Sequence, residues 1–165
     1  MKKTITAVAA VFLLAAAVPA TAAVHNLQAN IDGTQSGTGS SATGFATMSY
    51  DDVSGQFDWN IQWSGLQGNI SVAHFHGPAL PGQNAGVTVN FGSISGLSSP
   101  SIGSTVISAL QGSDLLGGLW YINIHSDLFP GGEIRGQVGV VPLPAAAWLL
   151  LSAVGGLFTL RRRKA

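Results

Sequence analysis

From Gln56 to Trp63 the chain alternates polar and apolar residues without a break, Gln-Phe-Asp-Trp-Asn-Ile-Gln-Trp. Phe57, Trp59, Ile61 and Trp63 fall on one face of an extended chain, and Gln56, Asp58, Asn60 and Gln62 on the other. That period of two predicts a half-buried antiparallel strand. Leu27, Ala29 and Ile31 keep the same period earlier, and further strands are expected over 43–50, 70–76, 87–91, 104–109, 119–125 and 133–140. Turn clusters separate them: Asp32-Gly33, Asp51-Asp-Val-Ser-Gly55, Gly77-Pro78 to Pro81-Gly82, and Pro130-Gly-Gly132. Only Ser113–Leu119 suits a helical turn, and the Ser/Gly-rich stretch 92–104 reads as a long surface loop. Strands at this spacing in a glycine-rich chain predict an all-β domain over residues 23–140, a Greek-key sandwich or barrel.

Two apolar runs lack any such period, and both are terminal. Met1-Lys2-Lys3 precedes an apolar run from Ile5 to Val18, and Pro19-Ala-Thr-Ala22 supplies the small residues that a signal peptidase accepts. Residues 1–22 therefore read as a signal peptide cleaved after Ala22, with export of the remainder. At the other end, Ala145–Leu160 is interrupted only by Ser152, Gly155, Gly156 and Thr159. As a helix this stretch is about 24 Å long, slightly short of a hydrocarbon layer of about 30 Å. Trp148 suits the outer interface, and Arg161, Arg162, Arg163 and Lys164 would hold the C-terminus in the cytoplasm.

The order of the C-terminal parts, Val141-Pro142-Leu143-Pro144-Ala145, the apolar helix 145–160 and the Arg-rich tail 161–165, resembles a PEP-CTERM sorting signal of the VPLPA variety. The resemblance implies a Gram-negative bacterium in which an exosortase cuts near the proline motif. The domain would be anchored briefly on the periplasmic side of the inner membrane. It would then pass to the cell surface, the exopolysaccharide or the medium.

Charge sharpens the picture of what lies between. The 165 residues carry seven basic and seven acidic side chains. Arg135 is the one cation of residues 23–141, and all seven acids lie there, for a formal net of −6. Such a segment cannot neutralise a row of phosphates, which excludes nucleic-acid binding. Without lysine it has no Walker-type loop or Schiff base, and without cysteine it has no thiol nucleophile, zinc-thiolate site or disulfide. Hydrophobic content, 46% overall, falls to about 39% in this segment, ordinary for a soluble domain.

The four histidines are His25, His74, His76 and His125. His74 and His76 share one face of a predicted strand, where their imidazoles can converge on one ion, and His125 at the end of another strand can add a third nitrogen. An imidazole-only set suits copper or zinc; structural, hydrogen-bonded histidines are the alternative. Cleavage after Ala22 would expose Ala23-Val24-His25, a free amine with His at position three, an arrangement that wraps Cu(II) or Ni(II) in a square plane. Asp51, Asp52 and Asp58 lack EF-hand spacing and read as a hairpin turn rather than a calcium site. Gly37-Thr-Gly-Ser-Ser-Ala42 has no βαβ context and reads as a loop. Phe57, Trp59 and Trp63 read as core rather than as a sugar-stacking strip.

Ala73-His-Phe-His-Gly-Pro-Ala79, Tyr121-Ile-Asn-Ile-His125 and Pro130-Gly-Gly-Glu-Ile-Arg-Gly-Gln137, in that order, resemble the signature of the CHRD domain over roughly residues 24–140. The resemblance implies an immunoglobulin-like all-β fold and names a module more firmly than an activity. Phe75 stands where the family usually has an aliphatic residue, a change expected to alter packing alone. The His-x-His with a distant third His is also similar, in pattern only, to the copper site of Cu/Zn superoxide dismutases. Glu133 and Arg135 share a strand face. Either Glu133 accepts a hydrogen bond from a ligating imidazole while Arg135 holds it, or the two form a structural ion pair. Two functions are expected: a surface or matrix module binding exopolysaccharide or surface proteins, or a copper or zinc protein using His74, His76 and His125 for storage or dismutase-like chemistry.

Overall fold

A computed structural model describes residues 23–142. The expected signal peptide, residues 1–22, and all but the first two residues of the expected sorting signal, residues 141–165, lie outside the described residues. Among the described residues no helix is long and apolar enough to cross a membrane. The elements in chain order are β1 (Val24–Asp32), α1 (Gly33–Ser36), β2 (Thr43–Asp51), β3 (Gln56–Ser64), β4 (Ile70–His76), β5 (Val87–Val89), α2 (Phe91–Ser95), β6 (Ser101–Val106), α3 (Ala109–Leu116), β7 (Tyr121–Ser126), β8 (Ile134–Gln137) and β9 (Gly139–Val140).

The alternation along β3 becomes burial: Phe57, Trp59 and Ile61 are buried, Asp58 and Gln62 exposed. β1 follows the same rule through Leu27, Ala29 and Ile31, and β2 through Ala46, Met48 and Tyr50. All strands join one antiparallel sheet in the order β5-β4-β7-β8-β1-β2-β3-β6, with β9 also on β1. The sheet curls into a half-barrel around its apolar face. α2 packs against both β4 and β6, so it plugs the gap between the two ends of the curl. The domain is all-β, as the sequence pattern predicts.

The concave side is filled by rings from β3, β4, α2 and the residue just before β7. Phe75 of β4 lies 5.1 Å from Phe57 and 5.2 Å from Phe91, and Trp120 stands edge-on to Phe57 at 5.8 Å. These are the tilted and edge-to-face separations that aromatic quadrupoles favour. Phe57 and Trp59 are therefore core, and Trp63 packs against the core from its rim.

The hairpin between β2 and β3 closes on Asp51, whose Oδ1 accepts from the amides of Val53 and Ser54 at 2.9 Å each. This carboxylate serves a turn. Between 87 and 109 the structure departs from the sequence pattern. The strand expected over 87–91 stops at Val89 and α2 begins at Phe91, with Asn90 capping the amide of Ser93. The expected loop 92–104 contains all but the first residue of that helix and the start of β6, which runs from Ser101 to Val106 rather than 104–109. Serine content suggested solvent. Instead, the hydroxyls of Ser95 and Ser101 bond to each other at 2.7 Å beneath the indole N–H of Trp59, which donates to Ser95. The helix expected near Ser113–Leu119 starts earlier, at Ala109, because Ser108 and Gln111 form a capping box.

Replacing Phe75 by Ala is expected to cost about 3–5 kcal/mol in urea unfolding, since the ring is fully buried among four others. A loss below about 1 kcal/mol would show that this aromatic cluster does not carry the core.

Candidate metal centre

β4 and β7 are neighbours, and their outward faces carry the polar half of two motifs. On β4 the inward residues are Ala73 and Phe75, so His74 and His76 point to the convex side. On β7 the inward residues are Ile122 and Ile124, and Tyr121, Asn123 and His125 share the convex face. The register pairs His74 with Asn123 and His76 with Tyr121; a one-residue irregularity between Ile70 and Val72 sets Val72 opposite His125. The three imidazoles meet with ring centroids 5.3 Å (His74–His125), 5.5 Å (His74–His76) and 6.1 Å (His76–His125) apart. One nitrogen from each ring lies within 4.8 Å of the others.

The convex side of a half-barrel faces water by default, yet every residue of β7 is buried. Two loops explain this. Residues 77–86 cross the convex face as a strap, and residues 127–132 cover the other flank. Each loop presents a backbone carbonyl to one imidazole: Ala85 O lies 3.0 Å from His76 Nδ1, and Pro130 O lies 2.8 Å from His125 Nδ1. A carbonyl can only accept, so both Nδ1 atoms carry the hydrogen and donate, and both Nε2 atoms present a lone pair. Those two Nε2 atoms, and Nδ1 of the half-buried His74, are buried without a hydrogen-bond partner among the described residues. Two lone-pair nitrogens and the unpartnered Nδ1 of His74, grouped and orphaned in this way, fit a cation; left to themselves they carry a desolvation cost.

The surroundings of His74 and His76 favour their neutral forms. Burial pushes His74 below the usual imidazole pKa, and the neighbouring His125 and His76 push it further. Burial also lowers His76, opposed by the carbonyl of Ala85 and reinforced by His125 and Arg135. Neutral imidazole is the metal-binding form.

Glu133 and Arg135 do neither of the things their spacing suggested. The Glu133 carboxylate is fully buried and reaches no imidazole. Its Oε1 accepts from the Ser40 hydroxyl (2.8 Å) and the Gln67 amide (2.6 Å), and its Oε2 from the Ser126 hydroxyl (2.6 Å) and the Gly68 amide (3.4 Å). Arg135 does not pair with it. The guanidinium lies over the Tyr121 ring, 3.4 Å from its centroid, and donates to Gln83 O (2.6 Å) and Asn84 Oδ1 (3.1 Å). Four neutral donors thus satisfy the acid, and the strap takes the base. The loop reading of 37–42 holds in outline, with Ser40 turned inward to serve Glu133.

His25 stands apart from the other three. It is half-buried on β1, stacks on Tyr50 and lies 3.2 Å from Asp52 Oδ2, while the Ala23 amide donates to Asp52 Oδ1. Its backbone is registered against Tyr50 in the β1–β2 ladder. A square-planar wrap by Ala23-Val24-His25 would have to unpair the start of that ladder.

The residues that sequence reasoning passed over are those that hold the histidines. Tyr121 stacks on His76 at 5.0 Å with the planes 5° apart. Asn123 donates to Gly131 O, and its side chain fills the space that a Cβ on Gly132 would need. Gly132 has φ +116°, a conformation that also favours glycine. The signal was present in Tyr121-x-Asn-x-His125, since a period of two puts the first two residues beside the third.

The CHRD domain family model matches residues 27–138. The chain belongs to the CHRD domain family. The three clustered histidines, both covering loops and the Glu133 network all lie inside the CHRD domain; His25 lies before it. No curated protein and no solved structure matches the chain.

Glu133 makes the stability of this CHRD domain acid-sensitive. Burial alone would raise its pKa, but the bonds from Ser126, Gln67, Ser40 and Gly68 outweigh burial and hold it below its ordinary value of 4.5. The folded value lies below the unfolded one. The carboxylate's contribution is therefore complete above the ordinary value and lost as pH falls through the folded value. Glu133→Gln sets an amide donor against four donors, so it is expected to cost on the order of 1–3 kcal/mol at pH 7. It should also flatten the acid branch of a stability-against-pH curve from urea unfolding; parallel curves for the two proteins would refute this.

Proposed function

We propose that this CHRD domain binds one copper or zinc ion through His74 Nδ1, His76 Nε2 and His125 Nε2. The observation that carries this reading is the group of three buried, unpartnered imidazole nitrogens, two of them fixed in the required tautomer by backbone carbonyls from separate loops. A site kept for structure alone would direct those nitrogens at protein donors. Copper is the preferred ion, because nitrogen donor sets bind Cu(II) more tightly than Zn(II). Three protein donors leave room in the coordination sphere for water or a small substrate, and His74, half-buried, stands on the solvent side.

The metal reading is preferred to that of a matrix-binding module because it rests on defined atoms. The two are compatible in location. The sequence of residues 1–22 supports export through signal peptidase. That of 141–165 supports an exosortase step that leaves the domain at the cell surface, in the exopolysaccharide or outside the cell. The ion would then be held outside the cytoplasm.

Titrating Cu(II) or Zn(II) into the purified chain, with His74→Ala/His76→Ala alongside, tests the reading. The wild type is expected to take up one ion and to gain about 2.7 kcal/mol of stability at a free-metal concentration of 100 times Kd. The double variant should lose both effects. Equal stoichiometry in the two proteins would refute the site. Superoxide consumption by the copper-loaded wild type then separates a redox role from storage.

A further inference from the structure

Burying a guanidinium on the convex face of an acidic domain, beside imidazoles that would receive a cation, needs a physical reason. Arg135 is the one lysine or arginine of residues 23–142, and it is 6% exposed. Its charge opposes a cation at His76, so direct electrostatics would favour its absence. What it does instead is tie down the strap. The strap starts on the cis Gly77–Pro78 bond, contains Pro81 and Gly82, and ends at Gly86. Its first half is held by the Ala79 backbone amide donating to Leu119 O and by the Gln137 side-chain Nε2 donating to Ala79 O at 3.1 Å. Its second half depends on the two charge-assisted bonds from Arg135 to Gln83 O and Asn84 Oδ1, and on the Ala85 amide donating to Tyr121 Oη. Ala85 is the residue whose carbonyl receives the Nδ1 hydrogen of His76. Arg135, Tyr121 and His76 form one column, guanidinium on phenol and phenol on imidazole. One side chain therefore sets both the plane of the His76 ring and the carbonyl that fixes its tautomer.

We infer that Arg135 is a positioning residue of the metal site, holding His76 as its Nδ1–H tautomer with Nε2 aimed at the ion, through the strap at Gln83–Ala85 and the ring of Tyr121. This deepens the proposed function and rests on it. A planar fork is required, because it must lie flat on a ring while two of its N–H groups reach two oxygens on one loop; a lysine ammonium has the charge without that geometry. Outer partners of ligating imidazoles commonly carry a tenfold to hundredfold share of metal affinity, which sets the scale of effect.

Arg135→Met, Arg135→Lys and Asn84→Ala, made in the full chain, test the inference with two readouts. The first is the imidazole 15N spectrum without metal, in which His125, tied to a different loop through Pro130 O, is the internal reference. The second is Zn(II) affinity by competition with a chromophoric chelator. The Met and Lys variants are both expected to turn His76 into a mixture of tautomers, to leave His125 unchanged, and to weaken Zn(II) binding about tenfold to a hundredfold. Asn84→Ala, which changes no charge, should move both readouts in the same direction by less. Unchanged tautomer and affinity in Arg135→Met would overturn the inference, and so would tighter binding, which would make the guanidinium a repelling charge only. Wild-type affinity in Arg135→Lys would show that charge suffices and the fork does not matter. Loss of order at His76 and His125 together would show that Arg135 merely supports the fold. If the wild type itself binds no Zn(II) or Cu(II), the metal reading fails and takes the inference with it; an unaffected variant beside a binding wild type removes the inference alone.

Discussion

A carboxylate buried without a cation has to be surrounded by donors, and in this domain that requirement organises one end of the sheet. Glu133 draws its four hydrogen bonds from Ser40, just before β2, from Gln67 and Gly68, just before β4, and from Ser126, the last residue of β7. Its own carbonyl accepts from Ser36 and Thr38, and its amide donates to Ile124. The ends of strands far apart in sequence are thereby brought to one point. β4 enters the sheet from that point and β7 finishes there, so the relative placement of the two strands, including the irregularity at Ile70–Val72, is fixed beside the histidines. Donors to a buried anion are hard to exchange one at a time, because losing any of them strands the charge.

The strand pair β4–β7 then serves two environments at once. Its concave side is Ala73, Phe75, Ile122 and Ile124, part of the aromatic and aliphatic core. Its convex side is imidazole, phenol and amide, largely covered by two loops that carry their own carbonyls into the site while His74 stays half-exposed. Packing on the first side makes the backbone rigid, and rigidity is what lets three rings on the second side keep a common focus. Phe75, placed between the two histidines of β4, shows how closely these jobs are interleaved along one strand.

Residues with a strict period were legible from the sequence. Phe57, Trp59 and Ile61 announced their face, and His74 and His76 announced theirs, because in a strand the side of the sheet depends only on parity. His125 could be proposed as a partner, although its distance from the others is set by the strand order β4-β7, which no local pattern encodes. Serine-rich and glycine-rich segments were harder. Ser40, Ser95 and Ser101 looked like loop residues by composition and are interior donors by position, since a hydroxyl is tolerated inside wherever an acceptor waits for it. Glu133 and Arg135 were read as a pair because opposite charges two apart on a strand invite that reading. Four neutral donors proved sufficient for the acid, and the base was taken by a loop whose only visible signal was its prolines and glycines.

The solitary, tucked-away arginine has a consequence for resistance to proteolysis. Proteases of trypsin-like specificity cut after lysine or arginine in chain that can be drawn out into their clefts. Between residues 23 and 142 this domain offers them one such bond, in the middle of β8, with the side chain pinned beneath a loop and against a ring. Amine-directed cross-linking chemistry finds no lysine there at all. The domain would thus resist a whole class of proteases for as long as it stays folded, without a disulfide to brace it.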